Sequence, residues 1–89
     1  MSMKLVAEFF GTFLLMTSIL VSGGNFLIIG GTLALIVAVL GSVSGASVNP
    51  AVSAGLWYSG SLSTTMFALY SLVEVAGALA AVYAYNVIA

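Results

Sequence analysis

The 89-residue chain contains no cysteine, no histidine and no arginine, and its only charged residues are Lys4, Glu8 and Glu74. Each absence removes a class of chemistry. Without cysteine there is neither a disulfide framework nor a thiolate metal site, and without histidine there is no imidazole ligand or base. One lysine cannot form the basic patch that nucleic acid requires. The two carboxylates lie on different segments, with no nucleophile-and-base pair beside them, so no catalytic residue, metal or cofactor is expected and an enzyme is disfavoured.

What fills the chain is apolar: 63% of its residues are hydrophobic and the mean hydropathy is +1.32. A soluble domain of this size leaves much of its surface wet and has too little interior to hide so much apolar area. The expected solvent is lipid. Residues 4–21, 26–43 and 64–88 each approach the roughly 20 helical residues needed to cross a ~30 Å hydrocarbon core. A cleavable leader is a poor description of the Lys4-led first run, because hydrophobicity continues to Ala89. Ser22, Gly23, Gly24 and Asn25 form a turn signal, so the first two spans are expected as an antiparallel hairpin. The whole, residues 1–89, is read as one all-α membrane domain.

Residues 44–60 interrupt the apolar pattern. Their apolar centre, 51–58, is too short to cross. Asn49 followed by Pro50 reads as an N-cap with proline at the first helical position, and Gly60 as a stop. Such a helix either lies on the membrane surface or re-enters the bilayer and returns to the same side. Surface helices usually carry basic residues on one face and this one has none, which favours re-entry. Non-helical backbone at that depth requires protein or a water-filled cavity around it. Small residues recur at four-residue spacing in the second span (Gly30, Ala34, Ala38, Ser42) and the third (Ala76, Ala80, Ala84, with Gly77 and Ala81). Such stripes let helices approach closely in lipid, although plain richness in alanine and glycine also produces them.

Ala7-Glu8-Phe9-Phe10-Gly11-Thr12 in the first span, Ser44-Gly45-Ala46-Ser47-Val48-Asn49-Pro50-Ala51-Val52 after the second, and Gly77-Ala78 in the third together resemble one half of the aquaporin and glycerol-facilitator superfamily. The resemblance covers nearly the whole chain. Asn-Pro-Ala alone is weak, but the box between two spans with Glu8 in the preceding helix is specific. Family members contain two inverted repeats of three spans and one half-helix, whose boxes meet at mid-membrane. This sequence resembles a single repeat, with three transmembrane helices and one re-entrant half-helix.

The resemblance implies a passive channel for water or small uncharged solutes such as glycerol, in an inner or plasma membrane. Asn49, Pro50 and Ala51 would form the pore box, and the carbonyls of Gly45, Ala46, Ser47 and Val48 would line its approach. Positions matching the family's selectivity constriction are Ile29, Val37, Ala46 and Val52, all apolar, and the family's arginine is missing. Glu8 would brace the loop, unless it snorkels to the interface. Glu74 stands where glutamine is common, and would either line the loop or stay protonated. Trp57, Tyr58, Tyr70, Tyr83 and Tyr85 are read as interface or packing aromatics.

A single repeat would leave polar backbone facing lipid, where each unsatisfied group costs several kcal/mol and a mid-membrane charge at least ~3 kcal/mol. A second half must therefore close the groove. With Lys4 the only topological determinant, both orientations are available, and an antiparallel homodimer is favoured over a separate partner chain or a truncated longer protein. By analogy with the family's tetramers, four such pairs, an octamer, would follow. A non-conducting assembly subunit is the rival reading.

Overall fold

The computed structural model describes residues 2–89, which form four helices in the order α1 (Met3–Ser22), α2 (Phe26–Ser44), α3 (Pro50–Tyr58) and α4 (Thr64–Ile88). Three of them, α1, α2 and α4, are long and apolar enough to cross a membrane. The expected all-helical architecture of three spans and one short helix is present. The helices run slightly beyond the apolar stretches because polar residues cap them. Ser2 accepts a hydrogen bond from the Lys4 N–H, and Ser63 accepts one from the Met66 N–H at 3.1 Å.

The α1–α2 hairpin follows from its turn residues. Gly23 and Gly24 adopt positive φ values of 64° and 84°, and Gly24 N–H donates back to the Ile19 carbonyl. Asn25 then caps α2, its Oδ1 accepting from the Leu27 and Ile28 N–H groups at 3.0 and 3.1 Å. At the start of α3, Asn49 Oδ1 accepts from Ala51 N–H at 2.8 Å, with Pro50 at the position where no N–H is needed.

α4 lies against α1 at a point of backbone contact. A Cβ added to Gly77 would sit 2.4 Å from the Phe9 carbonyl oxygen and 3.3 Å from the Phe13 nitrogen. No other residue fits there. α2 packs against α1 alone and α3 against α4 alone, so α2 and α3 do not touch. α3 runs back along the first half of α4: Ser53 reaches Glu74, whereas Trp57 stacks on Phe67 at 5.2 Å and donates from Nε1 to Thr64 Oγ1 at 2.9 Å. At 1.5 Å per residue, Glu74 lies about 15 Å into α4 and Thr64 at its start. The short helix thus begins at mid-span depth and ends where α4 begins.

The two small-residue stripes behave differently. On α4, Gly77 and Ala81 are buried at the α1–α4 contact, Ala80 and Ala84 are half-buried and Ala76 is exposed, but Gly30, Ala34, Ala38 and Ser42 all lie on the open surface of α2. The interior is unusually polar, with Glu8, Thr12, Ser18, Ser47, Ser53 and Glu74 buried beside Ala7, Ile36, Ala46, Val48, Tyr70 and Ala81. Large apolar residues such as Leu35, Val39, Leu72 and Leu79 face outward. That distribution suits a hydrocarbon solvent, from which polar groups must be withdrawn.

Candidate functional site

The polar interior converges on residues 44–49. Gly45, Ala46 and Val48 have φ values of 86°, 50° and 42°. Left-handed backbone is ordinary for glycine and rare for a β-branched residue, at a cost of about 1–3 kcal/mol per strained position. Surrounding contacts must hold it. Ala46 N–H donates to Ser44 Oγ at 3.2 Å, and Val48 N–H donates to Glu8 Oε1 at 2.8 Å. The Val48 side chain fills the space that the missing Gly11 side chain leaves open. A Cβ at Gly11 would lie 2.7 Å from Val48 Cγ1, with Leu40 and Ile36 close behind.

Depth follows from the same contacts. Gly11 is about 12 Å from the start of α1, a helix roughly 30 Å long, and Ile36 is near the middle of α2. The loop therefore descends from Ser44, at the end of α2, to the middle of the bundle, and α3 carries the chain back. A helix lying flat on the surface would not bring Val48 to Gly11.

Glu8 and Glu74 are both fully buried. Glu8 does not snorkel: its Oε2 accepts from Ser44 Oγ at 2.5 Å and its Oε1 accepts from Val48 N–H. Ser47 Oγ lies 3.1 Å from Glu8 Oε1, 2.8 Å from Glu74 Oε2 and 2.8 Å from Ser53 Oγ. Ser53 Oγ is 3.0 Å from both Glu74 oxygens. Tyr70 donates its hydroxyl to the Ser44 carbonyl at 2.9 Å and is nearly inaccessible, so it is a packing residue rather than an interfacial one. Tyr58 and Tyr83, by contrast, are exposed.

Among the described residues, none donates a hydrogen bond to the carbonyls of Gly45, Ala46, Ser47 or Val48. Asn49 is exposed, with its oxygen committed to the α3 cap and its amide nitrogen free of described partners. Ala51, Val52 and Val37 are exposed as well, Pro50 and Ile29 are half-buried, and Val37 and Val52 belong to the two helices that do not meet. Ala46 departs from the expected apolar constriction. It is buried, packed with Ile36 and Val48 in the core cluster.

Ser44, Ser53, Tyr70 and Gly11 escaped the sequence-based assignment of this site. A signal existed for the serines and the tyrosine, since polar groups inside otherwise apolar segments are costly in lipid and need a reason. Gly11 gave none, because a close approach between distant segments leaves no local trace.

The fold and the loop define an integral membrane protein of three spans and one capped half-length helix. Comparison with known proteins agrees. The Major intrinsic protein family matches residues 24–88. The chain is also 36% identical over 92 residues to the aquaglyceroporin AqpS of Rhizobium meliloti, an alignment covering 86% of this chain and 40% of that protein. The chain belongs to the major intrinsic protein family, whose members are channels rather than enzymes. It spans about two fifths of the length of the curated relative it matches. No solved structure matches.

Proposed function

We propose that this chain supplies one half of a transmembrane pathway for water and small uncharged solutes, completed by a second copy inserted in the opposite orientation. The observation that carries the reading is the asymmetry of residues 45–48. The Val48 N–H and the Ser47 hydroxyl are tied to the buried carboxyl cluster, and the Gly45 and Ala46 N–H groups donate to the Gly41 carbonyl and the Ser44 hydroxyl, whereas four successive carbonyls accept nothing from the described residues. In hydrocarbon each bare carbonyl would cost several kcal/mol, but permeating hydroxyls and water can donate to them in turn. A lining of acceptors suits neutral donors, and the cations it would also attract must be excluded elsewhere on the pathway.

Asn49 sits at the inner end of this row, at the N-terminus of α3. That terminus carries about +0.5 of an elementary charge, so two opposed copies would present about one positive charge at the midplane. A cation ~5 Å away at an effective dielectric near 20 would be repelled by ~3 kcal/mol, or about two decades in rate. Water pays no such toll. Val37 and Val52 would narrow each copy's pathway with apolar side chains, leaving ion exclusion to the central dipoles and to desolvation.

An inverted second copy is preferred because Lys4 alone biases topology, so both insertions are accessible. The open side between α2 and α3, together with the exposed small-residue stripe of α2, supplies the surface against which a second half would close. Four pairs would make an octamer in the plasma membrane. A separate partner half would satisfy the same groove, and tags on the N-terminus distinguish the two: accessibility from both membrane faces supports the inverted pair, and a single orientation points to a distinct partner.

Stopped-flow light scattering on proteoliposomes tests conduction. Faster osmotic shrinkage than protein-free vesicles is expected, and its loss in Asn49→Leu with assembly intact. Shrinkage no faster than the lipid blank, from correctly assembled protein, would instead identify a non-conducting subunit.

A further inference from the structure

Two fully buried carboxyl groups meet around a single hydroxyl, within hydrogen-bonding reach of each other, and among the described residues no cation accompanies them. The polar groups around the pair are Ser44, Ser47 and the Val48 N–H from the loop, Ser53 from α3, and Tyr70 from α4, whose hydroxyl is committed to the Ser44 carbonyl. α1 contributes only Glu8 itself, and Lys4 is exposed nearer the helix start. Two uncompensated negative charges in such a site would repel strongly.

Hydrogen-bond accounting leads to the same place. Ser47 approaches Glu8, Glu74 and Ser53, and Ser53 approaches both Glu74 oxygens, giving five oxygen–oxygen contacts of 2.8–3.1 Å. The two hydroxyls hold two protons between them. With both carboxyls ionised, three of the five contacts would be lone pair against lone pair, and one added proton reduces these to two.

We infer that the pair binds one proton, carried by Glu74, and that this proton fastens α4 to the 45–48 loop. Glu74 Oε2–H then donates to Ser47 Oγ, Ser47 donates onward to Glu8 Oε1, and Ser53 donates to Glu74 Oε1. The assignment to Glu74 rests on the neighbours. Glu8 accepts from a backbone N–H, which cannot reverse its polarity, and from Ser44 at 2.5 Å, so it is built as the anion. Glu74 is met by hydroxyls, which rotate to accept as readily as to donate, and by the Glu8 carboxyl, which can accept its proton. Glu74 is thus a positioning residue: it acts on the loop through Ser47 without lining it.

The inference is independent of conduction and is tested without measuring flux. Infrared spectra of the purified protein in lipid vesicles at neutral pH should contain one protonated carboxyl per chain, absent from Glu74→Gln. Because folding would take up one proton, the folding constant of the parent protein should fall by up to about tenfold per pH unit towards alkaline pH. Glu74→Gln, whose amide N–H replaces the carboxyl proton, should unfold at the same temperature as the parent at neutral pH and lose most of that decline. Glu8→Gln, which sets an amide against a donor-rich site, should be destabilised at both. A parent spectrum with only ionised carboxylates would overturn the inference. So would an undiminished alkaline decline in Glu74→Gln, or a Glu74→Gln protein less stable than Glu8→Gln.

Discussion

α2 and α4 are both apolar spans, yet they relate to the rest of the chain in opposite ways. α2 has the higher mean hydropathy, 2.5 against 1.7, and buries only Ile36, whereas α4 buries Tyr70, Glu74, Gly77 and Ala81. In water the more hydrophobic helix would be expected inside. In lipid the order inverts, because acyl chains solvate leucine and valine as well as a protein interior does, and what must be withdrawn is the polar side chain and the closely packed backbone. Hydropathy marks a span; polarity and smallness mark the side of it that docks.

The largest way to break the contrast is at Gly77. Gly77→Val puts a branched side chain where even a Cβ would lie 2.4 Å from the Phe9 carbonyl, so α1 and α4 should separate and the folded protomer be lost. Recovery of a monodisperse protein after detergent extraction reads this directly. Gly11→Ala is gentler, since the atom it meets is a valine methyl, and overpacking of this kind should destabilise by about 1–3 kcal/mol, seen as a lower unfolding temperature.

Asn49→Leu should spare most of the protomer's stability, losing one cap worth about 1 kcal/mol, while removing the solute flux. Survival of both flux and its neutral-solute preference would move the pathway elsewhere. Ala46→Gly relieves a φ of 50° against the entropy that glycine brings, so stability should change by under ~1 kcal/mol, on the favourable side. At the small end, a Cβ added at Gly30 meets no described atom within 4 Å, so Gly30→Leu should leave the protomer's unfolding unchanged or raise its stability by up to about 1 kcal/mol through helix propensity. If α2's stripe is an inter-subunit surface, crosslinking yield will drop even so, and an unaltered yield would assign that stripe to lipid.

How legible the site was depended on the range of the interaction involved. The Asn49 cap and the Pro50 start were readable because they act over two residues. The place of Glu8 came from resemblance, and its geometry, bonding across 40 residues of chain to Val48, could not be read from local pattern. Ala46 misled for a related reason: its apolar character suggested a lining side chain, but the residue is buried in the core cluster with Ile36 and Val48. Ser53 was missed because a serine one turn into a short helix is unremarkable until Glu74 appears beside it.

By itself the sequence determined the solvent, the number of spans, the tight hairpin and the capped half-length helix. Each of these is set by summed transfer free energy or by hydrogen bonds between near neighbours. Tertiary structure alone decided which face of each helix turns inward, that two acidic groups from α1 and α4 meet around one serine, and that a row of carbonyls is left without donors. Those outcomes depend on where segments far apart in the chain can approach without collision; the small-residue spacing pointed to Gly77, but no local rule distinguishes Gly11.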